Sequence, residues 1–195
     1  MARLEELGLR DQWIYEVLVS TFHADTPHAA PMGIWSPRPD ALAMDAYEGS
    51  RTLASIMESG HFVANFPPDV DTLYAALHTP ERLAYAQAQR VRAPVLAASS
   101  ATVELTLASA IGDGEKVRIT GAVRAVRLEA GLRLINRAEG LLLESLVLAS
   151  RAEHCGVGTT LDALIENHRV VAKVAPASDY ERALAALIQK IGARS

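Results

Sequence analysis

Residues 47–66 read YEGSRTLASIMESGHFVANF. An apolar run, ALAMDAY at 41–47, leads into the small polar cluster Gly49-Ser50-Arg51-Thr52. A short helix over SRTLASIMES follows and ends at Gly60, and HFVANF at 61–66 then has the composition of a strand. The segment is therefore expected to be strand, turn, helix, strand. Its polar cluster admits two readings. Ser50 can cap the helix, as serine does routinely. Alternatively, a glycine, two hydroxyls and a guanidinium at a helix start form an anion site.

Upstream, WIYEVLVSTF (13–22) alternates Tyr15, Val17 and Val19 against Glu16, Leu18 and Ser20, as a strand does. HADTPH is a turn cluster, AAPMGIW (29–35) a second strand and SPRPD a second turn. Downstream, ATVELTLASAI (101–111) and EKVRITGAVRAVRL (115–128) flank GDG, a hairpin signal. On the later strand Lys116, Arg118 and Arg124 share one face, and Val117, Ile119 and Val123 the other. These patterns predict a body of about six strands over residues 1–128.

Beyond 128 the texture turns helical. EAGLRLINRAEGLLLESLVLASRAEH carries Leu132, Ile135, Leu142 and Leu146 at helical spacing, and CGVG breaks it. Thr159 and Asp162 resemble a capping box for a helix over 160–173. A last helix shows Tyr180, Leu184, Leu187 and Ile191 on its buried face. Residues 129–195 are thus expected to be a helical extension packing on the first half or on a second subunit.

Composition narrows the function classes. Half of the 195 residues are hydrophobic, enough for a sizeable core. The single cysteine, Cys155, excludes an internal disulfide framework and fits a reducing compartment. No apolar run nears the ~20 residues of a spanning helix, and the charged N-terminus lacks a signal-like apolar core. A cytoplasmic protein without membrane attachment is expected. The net charge of −4 disfavours nucleic acid. Residues 116–137 hold six basic residues against one acid, Glu129, but no aromatic platform for bases.

No zinc spacing, phosphate loop, dinucleotide fingerprint or nucleophile elbow is present. The six histidines, at 23, 28, 61, 78, 154 and 168, lack metal-ligand spacing and read as structural or surface groups, so no metal is expected.

The order of elements, with Ala30-Pro31-Met32-Gly33, Glu48-Gly49-Ser50-Arg51-Thr52, Asn65 and the helical NRAEGLLLESLVLASR, resembles the FMN-binding split-barrel, or flavin-reductase-like, superfamily. It is similar in particular to a branch of archaeal and bacterial proteins, some of them associated with tetrahydromethanopterin-linked one-carbon metabolism. The resemblance covers most of 13–128. It implies a β-barrel-dominated α+β fold, a six-stranded antiparallel Greek-key split barrel with C-terminal helices, FMN as cofactor and a homodimer. It also implies either a flavin-dependent oxidoreductase, using a small-molecule substrate or nicotinamide donor, or a non-catalytic flavin-binding or accessory protein.

The resemblance favours the anion reading of the opening cluster. Arg51 would fork onto the FMN phosphate, and the Ser50 and Thr52 hydroxyls with the first helical amides would complete the donors. Gly49 would let the backbone turn and approach. Met32 and Gly33 would lie along the flavin ring, although a core strand with a bulge explains them as well. Asn65 is a flavin contact or a satisfied buried amide. Arg137 and Arg151 could complete the site from the helical half, or form a charge stripe with Glu144. No residue is singled out as catalytic.

Overall fold

The computed structural model describes residues 3–193, with the side chain of residue 113 left aside. Six long strands form a closed antiparallel barrel. In chain order they are β1 (Tyr15–His23), β2 (Thr26–Arg38), β3 (Ala41–Tyr47), β4 (His61–Phe66), β7 (Ala101–Asp113) and β8 (Lys116–Leu128). Two three-residue strands, β5 (Tyr85–Gln87) and β6 (Pro94–Leu96), make a separate small hairpin. Around the barrel the order is β1-β2-β3-β8-β7-β4. The first four strands thus lie in the spatial order 4-1-2-3, the Greek-key arrangement.

The crossing from β3 to β4 runs through helix α1 (Arg51–Ser59). Ser50 caps it by accepting from the Leu53 amide at 3.3 Å, and Gly60 closes it in the left-handed region at φ 68°. α1 is amphipathic: Thr52, Leu53, Ser55 and Ile56 are buried, whereas Arg51 is exposed.

The alternation in β1 does not separate core from solvent as its sequence suggests. Val17, Val19 and Thr21 are buried, but so are Leu18 and Ser20 on the opposite face. That face is covered by residues 67–100, for which the sequence gives little pattern. They form helix α2 (Val70–His78), a short 3-10 turn (Pro80–Arg82) and the β5–β6 hairpin. Leu18, Ala29 and Leu96 form a core cluster there, with Leu73, Ala76, Leu83 and Tyr85 packed against it.

The β7–β8 hairpin follows its sequence reading apart from two register shifts, one of them between Leu107 and Ser109, which leaves Ala108 bulged. The other lies between Glu104 and Leu105 and leaves Arg124 bulged between Val123 and Ala125. The faces therefore exchange beyond it, and Val126 is buried. Inside the barrel, Gly121 is required by its neighbours: a Cβ there would lie 2.5 Å from the Phe62 ring.

The chain divides into two compact units. One runs through Asp11 and from Tyr15 to Ile135, and the other joins Gln12–Ile14 to the residues from Asn136 onward. The second unit contains α3 (Arg137–Ser150), α4 (Ala152–Cys155), α5 (Val157–Val174) and α6 (Asp179–Gly192). Three expectations are corrected here. The first helix starts at Arg137, not near 129, because Gly131 takes φ 82° and Asn136 caps the helix, accepting from the Ala138 amide at 2.7 Å. Thr159 and Asp162 make no capping box: they lie inside α5, whose N-cap is Gly156. On α3 the buried positions are the small residues Ala138, Ser145 and Ala149, while Leu146 is exposed. The Asn136 Nδ2 donates to the carbonyls of Ile14 and Val174, both at 2.8 Å, which holds residues 12–14 to the helices.

Candidate functional site

β2 and β3 pair only from Ile34↔Met44 to Arg38↔Ala41. Beyond that point they part. Asp45, Ala46 and Tyr47 remain on β8, while Thr26 to Gly33 remain on β1. Among the described residues no strand lies on the β3 side of that stretch of β2. The backbone groups that would have met β3 are left at an open edge.

Met32 and Gly33 sit where this split begins, opposite Val17 and Glu16 of β1. The other lip ends at Tyr47 and turns through Gly49, at φ 74°, into the capped start of α1. Ser50 takes the Leu53 amide on its side chain and the Ala54 amide on its carbonyl. The Arg51 and Thr52 amides are left without an intrahelical acceptor, as first-turn amides are. Among the described residues Arg51 enters no ion pair.

The two lips are tied together at the far end of the open stretch. His28 Nε2 lies 3.2 Å from Thr52 Oγ1. At the last residue of β1, His23 Nδ1 lies 3.1 Å from Ser55 Oγ. Burial lowers the His28 pKa below the usual histidine value, and the nearby Arg51 and His23 push the same way. A strand rises about 3.3 Å per residue, so His28 and Gly33 stand roughly 17 Å apart along β2.

The structure thus brings together Gly49, Ser50, Arg51 and Thr52, and sets Met32 and Gly33 on the same opening. Asn65 is not among them. It is fully buried on β4, where its Nδ2 donates to Leu18 O and Ser20 Oγ and its Oδ1 accepts from the Leu96 amide. Of the two roles open to it, the satisfied buried amide is the one it fills. The sequence reads His28 only as a structural or surface group, because the packing of α1 against β2 is what brings it to Thr52.

The basic residues of 116–137 mostly have partners on the sheet. Arg118 forks onto Asp45 and stacks over Trp35, Lys116 lies over the Tyr47 ring, and Arg124 donates to Thr106. A cavity of about 580 Å³ lies elsewhere, bordered by Gln87, Gln89, Thr102, Glu104 and Arg127. The buried Glu104 carboxylate there accepts the amides of Gln89 and Arg90. None of the predicted site residues lines it. Among the described residues no cluster of His, Cys, Asp or Glu could hold a metal ion, and no helix is long and apolar enough to cross a membrane.

A family model described as the N-terminal domain of a protein of unknown function, DUF447, matches residues 15–130. The chain belongs to the DUF447 family. That match spans the whole barrel and the β5–β6 hairpin, and so includes both lips of the split. No curated protein matches the chain. Among solved structures, the FMN-bound DUF447 protein MM1853 from Methanosarcina mazei is similar at a TM-score of 0.57 and 20% identity, over 96% of this chain and 99% of that one. Nitrilotriacetate monooxygenase component B from Mycobacterium thermoresistibile is similar at 0.53 and 16%, over 63% and 73%. Flavoredoxin from Methanosarcina acetivorans is similar at 0.52 and 17%, over 60% and 69%. These likenesses show the fold: the DUF447 chain shares the barrel architecture of these structures.

Proposed function

We propose that this DUF447 protein binds FMN in the split between β2 and β3 and serves as a flavin-dependent oxidoreductase of the flavin-reductase-like type. The observation that carries this reading is the open edge of β2 leading to an unpaired guanidinium and free amides at the start of α1. A phosphate monoester carries nearly two negative charges at neutral pH. Arg51, the Ser50 and Thr52 hydroxyls and the first amides of α1 are the donor set such a group needs. The length of the open stretch suits a flat ring at Met32-Gly33 with a polar chain running back toward α1.

FMN supplies the electron or hydride transfer when bound. The chain's own residues bind and orient it. Arg51 neutralises the phosphate, the exposed backbone near Met32 and Gly33 offers donors and acceptors to the ring rim, and Gly49 permits the turn. The FMN-bound state of MM1853 supports the same assignment for a relative of similar length.

A homodimer belongs to this proposal. Val70, Tyr74 and Leu77 of α2 are more than half exposed, as are Leu143 of α3 and Ile165 of α5. Exposed apolar groups in such number favour a partner surface, and a two-fold pair is the commonest arrangement. Arg137 and Arg151 are then candidates to complete the site.

A second reading, a flavin-binding or accessory protein without turnover, is favoured by the absence of ionisable side chains over Ala29–Gly33. Reconstitution with excess FMN, desalting and spectroscopy tests the cofactor. Oxidation of NADH or NADPH above the rate of free FMN tests turnover. Retained flavin without that oxidation leaves the accessory reading, and a colourless product overturns both.

A further inference from the structure

We propose that His28 is a further ligand of the anion held at the start of α1, and that it engages the anion as an imidazolium, so that binding takes up one proton from solvent. The proposal rests on the phosphate site assigned above, and adds to it a residue and a proton.

The geometry has three parts. His28 Nε2 is already within hydrogen-bond distance of Thr52, a first-turn residue of α1, at 3.2 Å. In the barrel register His28 stands directly opposite Thr21, so the two side chains share one face of the sheet. Thr21 is fully buried, and its hydroxyl has no hydrogen-bond partner. A buried hydroxyl left unpaired costs free energy unless another group meets it. Here it lies on the face that carries His23 and His28, which α1 covers with Thr52 and Ser55. An orphaned hydroxyl therefore stands beside a titratable ring that meets the start of α1, where Arg51 enters no ion pair among the described residues.

The charges around His28 are positive or already spent. Arg51 faces it from α1 and His23 from β1. Asp25, in the β1–β2 turn, is bonded to Arg92 at 2.9 Å, and Asp71 of α2 to Arg82 at 3.3 Å, while His78 stacks on Tyr74. With no anion present, burial first and then Arg51 and His23 lower the pKa of the ring and so favour its neutral form. A phosphate beside Arg51 reverses the local field and favours the charged ring. The ring then becomes a charge-assisted donor, and the Thr52 hydroxyl, released from the ring, can donate as well.

FMN affinity is measured between pH 6.5 and 8, where the phosphate is mostly a dianion because its second pKa is about 6. Linkage of one proton tightens FMN by up to about tenfold per unit fall in pH. Riboflavin, lacking the phosphate, shows no such slope, and His28→Gln abolishes it for FMN. Equal slopes in wild type and His28→Gln would overturn the inference while leaving the FMN reading intact. NMR titration of the His28 ring in the wild-type chain gives a second readout that needs neither the variant nor FMN. Inorganic phosphate should raise the His28 pKa, and an unchanged pKa overturns the proposal. Failure to bind FMN with a phosphate-dependent rise would sink the cofactor reading alone.

Discussion

The Nδ2 of Asn65 donates to the hydroxyl of Ser20 at 2.8 Å, and neither residue reaches solvent. Through the same amide β4 holds the Leu18 carbonyl of β1 at 2.9 Å and the Leu96 amide of β6 at 2.9 Å, and Ser20 passes its own proton to the Pro94 carbonyl. The amide is a three-way clamp between the barrel and the hairpin that covers it. Asn65→Leu leaves several buried groups unpaired and should cost about 2–4 kcal/mol in urea unfolding. A loss under ~1 kcal/mol would mean the network contributes little.

Gly121 gives a second test of packing. A methyl group there meets the Phe62 ring and lies 3.1 Å from Leu105. Gly121→Ala should destabilise the barrel by about 1–3 kcal/mol, the usual range for overpacking. Adding Phe62→Leu should restore part of that loss, whereas simple additivity of the two changes would contradict the contact.

Much of this barrel is readable from sequence because strands such as 41–47 and 61–66 are bounded by strong punctuation, Pro-rich turns before one and Gly60 before the other. The Ser50 cap and the hairpin at 112–114 are local in the same sense. The hidden parts depend on distant partners. β5 and β6 have three residues each and gain identity only by pairing with each other. Leu132 and Ile135 keep helical spacing without a helix, because Gly131 and Asn136 override it. His28 meets Thr52 across a separation of 24 residues, which no local pattern announces.

The turn before α1 separates cap from anion site. Ser50→Ala should lose about 1 kcal/mol of stability, as a missing N-cap does. Gly49→Ala places a side chain at φ 74° and should cost a further ~1–2 kcal/mol. Thermal unfolding of the two variants checks both, and a neutral Gly49→Ala would argue against the left-handed turn.

His28 should make stability depend on pH even without ligand. Burial, with Arg51 and His23, holds its folded-state pKa below the usual histidine value of about 6.5, so on acidification the unfolded chain protonates first. The stability associated with the neutral ring is complete above about pH 6.5 and is lost as pH falls through the lower folded-state value. Denaturant midpoints from pH 7.5 to 5 should fall more steeply in wild type than in His28→Gln. Parallel curves would contradict the burial of a neutral ring.

The central claim is that Arg51 grips a phosphate, and paired titrations of FMN and riboflavin test it most directly. Arg51→Ala leaves the Ser50 cap in place, so fold stability should change little. FMN affinity should fall by roughly 1.5–3 kcal/mol, about ten- to a hundred-fold, with riboflavin far less affected. Arg51→Lys should recover only part of the loss, because an ammonium cannot reproduce the planar fork. Equal losses for FMN and riboflavin, or no loss for either, would contradict the phosphate site.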